Sequence, residues 1–263
     1  MGIKGLIKKS LRKPIIVKPV FQESTHLLDG KSVLVVGGGT GIGLAISRAL
    51  RDAGAHVTVA SRTPDEQLEQ EGFSVERWDV GVIEGISERY AELWTRDEYD
   101  IVVCSQGICP EVDFAGRLFE VTPEDFEFVV RVNSESPYFI IREAARHFID
   151  AGRKGTVVVI CSTEGLKGGF VPYGISKAFT VSMVGGLGKV LARKGVTVSG
   201  IAPGATATKM MGMDSNGDLT YPVPSGRCTL PEEIANMAVF LASDMGRQMC
   251  GQVVTIDGGE SLH

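Results

Sequence analysis

The stretch "SVLVVGGGTGIGLAISRALRDAG", residues 32–54, decides the fold. Its opening run is apolar and β-branched, as in a strand buried on both faces. Glycines crowd the next seven positions, and a helix follows at once, closed by Gly54. A strand running straight into such a turn brings bare backbone amides to a helix N-terminus, an arrangement that suits a pyrophosphate. The spacing is not G-x-G-x-x-G. It is Gly37-x-x-x-Gly41-x-Gly43, with Gly39, Thr40 and Ile42 inside the turn, and it points to one branch of the dinucleotide-binding folds. The rival reading is a glycine-rich turn that holds nothing.

Working outward, short β-branched runs alternate with longer amphipathic ones. Strands are expected at 56–62, 73–80, 99–107, 155–162, 196–204 and 251–259. The segment 122–152 opens with Thr122, Pro123 and two acids, so it reads as one long capped helix ending at Gly152. A further helix is expected over 173–195, and another from Thr229, with Thr229 and Glu232 as a capping pair. Such alternation implies right-handed crossovers and a parallel sheet covered on both faces. The fold class is therefore α/β, a Rossmann-type doubly wound sheet of about seven strands in a single domain over 30–263. Ligands are expected at the carboxyl ends of its strands.

Composition agrees. Of 263 residues, 43% are hydrophobic and 22% charged, enough for a substantial core. A net charge of −5 argues against nucleic acid as a partner. Five scattered cysteines form neither a disulfide framework nor a zinc motif, so no metal is expected and the compartment reads as reducing and cytoplasmic. Residues 1–29 form a basic leader or arm, with six Lys/Arg and no acid before Glu23. Pro14, Lys18 and Pro19 interrupt its apolar residues. Neither a secretory signal nor a transmembrane span is expected, and weak contact with a membrane surface is the lesser reading.

The second expected strand ends in "ASRT" (60–63), where an acid would bond both ribose hydroxyls and repel a 2′-phosphate. Ser61 and Arg62 stand there instead. A guanidinium pairs well with phosphate, so NADP(H) is expected in preference to NAD(H).

Further along, "YGISK" puts Tyr173 and Lys177 one helical turn apart on one face. A free phenol titrates near about 10, and a neighbouring ammonium favours the phenolate. Alone, the pair decides nothing. However, Gly37 to Gly43, Asp79, Asn133, Ser162, Tyr173-x-x-x-Lys177, Pro203-Gly204 and a closing "DGG" occur in order over about residues 30–260. Their sequence resembles the short-chain dehydrogenase/reductase family, in the branch of the 3-oxoacyl-(acyl carrier protein) reductases.

The resemblance implies hydride transfer between nicotinamide and a small-molecule or acyl carbonyl. Tyr173 would be the acid or base, Lys177 its tuner and a ribose ligand, Ser162 the holder of the substrate oxygen, and Asn133 the keeper of a water in the proton path. Asp79 and the adjoining Val80 would meet the adenine, with a helix cap as the rival role for Asp79. Gly107, Pro203 and Gly204 would line the cofactor, and Thr206 or Thr208 would contact its carboxamide or pyrophosphate. A homodimer or homotetramer is also implied.

Three features limit the transfer. "CSQG" (104–107) replaces the family's Asn-Asn-Ala-Gly, the Ser162–Tyr173 segment is short and glycine-rich, and the loop over 205–228 carries Met210, Met211, Met213, Leu219 and Tyr221 without an anion clamp. The altered "CSQG" leaves a second reading open, a nucleotide-binding regulator or scaffold without turnover.

Overall fold

A computed structural model describes residues 26–110, 118–213, 215 and 218–262; most of the leader lies outside them. Chain order runs β1 (Ser32–Val36), α1 (Gly41–Asp52), β2 (His56–Ser61), α2 (Gln67–Gln70), β3 (Ser74–Arg77), α3 (Ile86–Asp97), β4 (Ile101–Cys104), α4 (Pro123–Val130), α5 (Ser136–Asp150), β5 (Gly155–Ile160), α6 (Pro172–Leu191), β6 (Val196–Pro203), α7 (Pro231–Ala242) and β7 (Val253–Ile256). The strands form one sheet in the order β3-β2-β1-β4-β5-β6-β7, with every pairing parallel.

Strand periodicity divides the core into two layers. Val33 and Val35 point to one side with Ile46, Leu50, Ile234 and Leu241 of α1 and α7. Leu34 and Val36 point to the other with Tyr90, Trp94, Ile140, Phe148 and Val184 of α3, α5 and α6. Burial on both faces is why these strands read as continuous apolar runs rather than alternating ones. Strand order reverses beside β1, and Val36 stands level with both Ala60 and Cys104. The chain after Val36, Ala60 and Cys104 therefore lies at one level, around the switch point where such folds bind ligands.

Two local expectations are corrected. The segment 122–152 is two helices separated by a π turn over Arg131–Glu135, not one helix. Pro137 has no N–H to give the carbonyl four residues back, and its ring crowds that carbonyl, so an extra residue is accommodated there. The Ser136 hydroxyl donates to Val132 O at 2.8 Å, which helps to close the wider turn. At α7 the acid that reaches back is Glu233, accepting the Leu230 N–H at 2.8 Å, whereas Thr229 is bridged to Thr206. Pro172–Lys194 is long and apolar enough to cross a membrane by length and composition alone. Its composition follows from packing: Met183, Val184 and Leu191 belong to the core, and Lys177 is buried on the same helix.

Candidate active site

The glycine turn is shaped by close backbone approaches. A Cβ at Gly43 would stand 2.0 Å from Gly37 O, and one at Gly37 would stand 2.5 Å from the Gln106 nitrogen, with φ at +78° as a second obstacle. Thr40 occupies the N-cap of α1 without capping it, so the side chains leave that helix end open. Ile42 is half-buried against the α1/α7 layer. Gly41 lies under Thr208, whose Cγ2 would be 3.6 Å from a Cβ there. Thr206 is committed elsewhere: it is buried and its hydroxyl donates to Gly204 O at 2.9 Å. Of the two threonines, Thr208 is the one brought to the turn.

Ser61 ends β2 against Gly39, its Oγ 3.1 Å from a Cβ placed there, and this oxygen is buried without a hydrogen-bond partner among the described residues. Arg62 follows, exposed and in no ion pair with a described residue. Asp79 is exposed and accepts the Gly81 N–H at 2.9 Å, a turn of its own, while Val80 is buried. Pro203 ends β6 level with Ile256, and Gly204 is pressed onto the closing turn, where a Cβ would stand 2.6 Å from that of Asp257.

A second cluster is made of side chains. Asn133, in the π turn, is buried rather than on the helix surface. Its Oδ1 accepts the Ile108 N–H at 2.8 Å, and its Nδ2 donates to Ile108 O at 2.9 Å and to Ser176 Oγ at 3.1 Å. Lys177 is 4% exposed, donates to Ile160 O at 3.0 Å, and carries its ammonium 5.8 Å from the Tyr173 ring centre. Gly107 leaves room for it, since a Cβ there would stand 3.3 Å from Lys177 Nζ and 3.6 Å from Asn133 Oδ1.

Burial draws the Lys177 ammonium below its ordinary range, and the Cys161 and Cys109 thiols oppose that. Ser162 leaves β5 in extended conformation and accepts the Glu164 N–H at 3.2 Å. Because the Oγ accepts there, its own proton is available for a different acceptor. Gly165 lays this turn flat on α6, where a Cβ would come 2.5 Å from the Lys177 carbonyl carbon.

Sequence reasoning missed Ile108, Ser176 and the Ile160 carbonyl. Ser176 stands inside "YGISK" and Ile108 follows Gly107, so adjacency was the available signal. Two cavities, of about 490 and 320 Å³, do not hold these groups. One lies among Arg131, Tyr138, Phe139 and Phe179, and the other at the opposite strand ends, among Lys31, Asp100, Arg153 and Arg247.

The turn fits a phosphate-bearing nucleotide. Its helix end is open, its glycines leave no Cβ in the way, the Ser61 hydroxyl beside it has no partner among the described residues, and Arg62 follows that serine.

Comparison with known proteins agrees. The family described as enoyl-(acyl carrier protein) reductase matches residues 37–261. The chain is 35% identical to versicolorin reductase 1 of Aspergillus parasiticus, covering 89% of this chain and 97% of that protein. It is 30% identical to a 3-oxoacyl-(acyl carrier protein) reductase of Rickettsia felis, covering 88% and 97%. Among solved structures, a gluconate 5-dehydrogenase of Burkholderia cenocepacia in complex with NADP and tartrate superposes with a TM-score of 0.80 at 28% identity, covering 91% of this chain and 99% of that one. The chain belongs to the short-chain dehydrogenase/reductase family.

Proposed function

We propose that this chain transfers a hydride between NADP(H) and a carbonyl or secondary alcohol, with Tyr173 as the acid–base group. The observation that carries the reading is the buried Lys177 ammonium, held by Ile160 O against the Tyr173 ring. A bound nicotinamide supplies or accepts the hydride. Tyr173 gives its phenolic proton to the substrate oxygen in reduction and takes it back in oxidation. Lys177 favours the phenolate, and its burial lets that charge act with little screening. The Ser162 hydroxyl, already accepting from Glu164, donates to the substrate oxygen and fixes it for attack. Asn133 holds the Gly107–Ile108 segment beside Lys177, which keeps the floor of the cleft in place.

At the far end, the open α1 terminus, Thr40 and Thr208 would hold the pyrophosphate, Arg62 and Ser61 the 2′-phosphate, and Asp79 and Val80 the adenine. The NADP named with the gluconate 5-dehydrogenase supports this choice.

The relatives' names divide among versicolorin, 3-oxoacyl and gluconate chemistry, and the half-exposed Met210 and Met211 favour an apolar molecule. A 3-oxoacyl-type carbonyl is the reading we favour. Self-association is supported by aromatic side chains left exposed on α4, α5 and α6, namely Phe128, Tyr138 and Phe179; light scattering tests it.

Turnover of a carbonyl panel with NADPH and with NADH is the experiment. Reduction with NADPH is expected, with NADH poorer, and Tyr173→Phe should lower kcat by about 10²- to 10⁴-fold while NADPH still binds. An unchanged rate in that variant ends the mechanism. Nucleotide binding with no turnover on any member of the panel would favour a regulator instead.

A further inference from the structure

The segment "CSQG" departs from the family pattern, and the structure gives the departure a use. Gln106 is 8% exposed and lies back to back with Gly37 of the glycine turn. Its Nε2 donates to Ser136 Oγ at 3.1 Å, and that hydroxyl in turn donates to Val132 O at 2.8 Å. Two residues later Ile108 is held on both backbone groups by Asn133. The short segment 106–108 is therefore tied twice to the turn 132–136, once through each of these amide side chains. Between the ties lies Gly107, against Lys177 Nζ.

Energetically the Gln106 tie is poor. Gln106 Oε1 is buried and accepts no hydrogen bond from a described residue, and an orphaned acceptor of this kind is destabilising. Leucine at 106 would remove that acceptor; Ser136 keeps its bond to Val132 O, and the buried Cys104 thiol, which the Gln106 side chain also meets, loses only a weak partner. Stability alone therefore disfavours glutamine here.

We infer that Gln106 is a positioning residue, which couples the glycine turn to the π turn and so fixes Asn133 and Gly107 beside Lys177. Its amide donates to Ser136, and it acts through that hydroxyl. The inference deepens the proposed reductase reading and rests on it for its effect on rate.

Three measurements on the full chain test it. Gln106→Leu should melt no lower than the wild type, yet exchange the amides of 131–136 about tenfold faster, with those of β6 unchanged. Its kcat should fall about five- to tenfold with KM for NADPH held within about twofold. Ser136→Ala should give the same loss, and the double variant should add nothing to it. Unaltered exchange at 131–136 would overturn the inference. So would a lowered melting temperature with exchange raised everywhere, since that describes a merely structural residue. If the wild type turns over no carbonyl, the reductase reading fails by itself, and the exchange experiment still decides the tie.

Discussion

The two halves of this cleft are built on different terms. The glycine turn is made of backbone pressed on backbone, where Gly43 meets Gly37 and Gly37 meets Gln106. The acid–base cluster is made of side chains from the π turn, the end of β5 and α6, tied to the backbone of Ile108 and Ile160. In the first half geometry and fold are one thing, because no side chain can be added without moving the main chain. In the second, the fold would survive the loss of most functional atoms. Fold and chemistry are therefore separable in one half and fused in the other.

The largest contrast sets Gly43→Ala beside Tyr173→Phe. A methyl 2.0 Å from a carbonyl oxygen forces backbone to shift, so Gly43→Ala should lose about 1–3 kcal/mol of stability and NADPH binding together. Tyr173→Phe should lose rate alone. Urea melts and NADPH fluorescence on both variants check this; a Gly43→Ala protein of wild-type stability would break the contrast. Next in size is Arg62→Ala. Removing a charged hydrogen bond worth about 1.5–3 kcal/mol should raise KM for NADPH roughly ten- to hundredfold and leave NADH within about twofold. An equal rise for both cofactors would place the guanidinium away from the 2′-phosphate.

The same division explains what could be read from the chain. Strand β1, the glycine turn and α1 are local, and their residues announce them in order. The meeting of Asn133 with Ile108 and Ser176 joins positions 25 and 43 residues apart, and nothing in either neighbourhood names the other. The π turn was hidden because the apolar pattern runs through it, although Pro137 inside a helix already marked an unpaired carbonyl. Helix α3 was passed over despite Ile86, Tyr90, Leu93 and Trp94 at helical spacing. The choice of Thr208 over Thr206 depends on which of the two the chain lays against Gly41.

Lys177 supplies a smaller effect with a definite sign. Burial holds its folded-state pKa below the unfolded value near about 10.4, so between the two the unfolded chain binds more protons. Stability from this group is missing at low pH and returns as pH rises through that window. Relative to Lys177→Met, the cofactor-free wild type should gain up to about 1.4 kcal/mol per pH unit on the alkaline side. Chemical melts from pH 7 to 10 measure the difference. A flat or falling difference would mean that the ammonium is well solvated, and the side-chain half would lose its buried charge.

The smallest expected effect tests whether burial is what matters. Lys167, in the short wall between Ser162 and Tyr173, pairs with Glu260 at 2.7 Å, and Glu260 lies on the closing turn that backs Gly204. This pair ties the segment after Ser162 to the turn behind Gly204, yet its side chains are 32% and 27% exposed. Water and salt compete for such a pair, and its two long side chains must be ordered to make it. A Lys167→Met, Glu260→Gln double-mutant cycle should therefore return a coupling of only about 0.2–1 kcal/mol, falling further in 1 M NaCl (about 3 Å of screening length). A coupling above about 2 kcal/mol would show an exposed strap holding the cleft as firmly as its buried groups. The wall could then no longer be treated as freely variable around a fixed acid–base centre, and the division between fused and separable halves would have to be redrawn at Gly204.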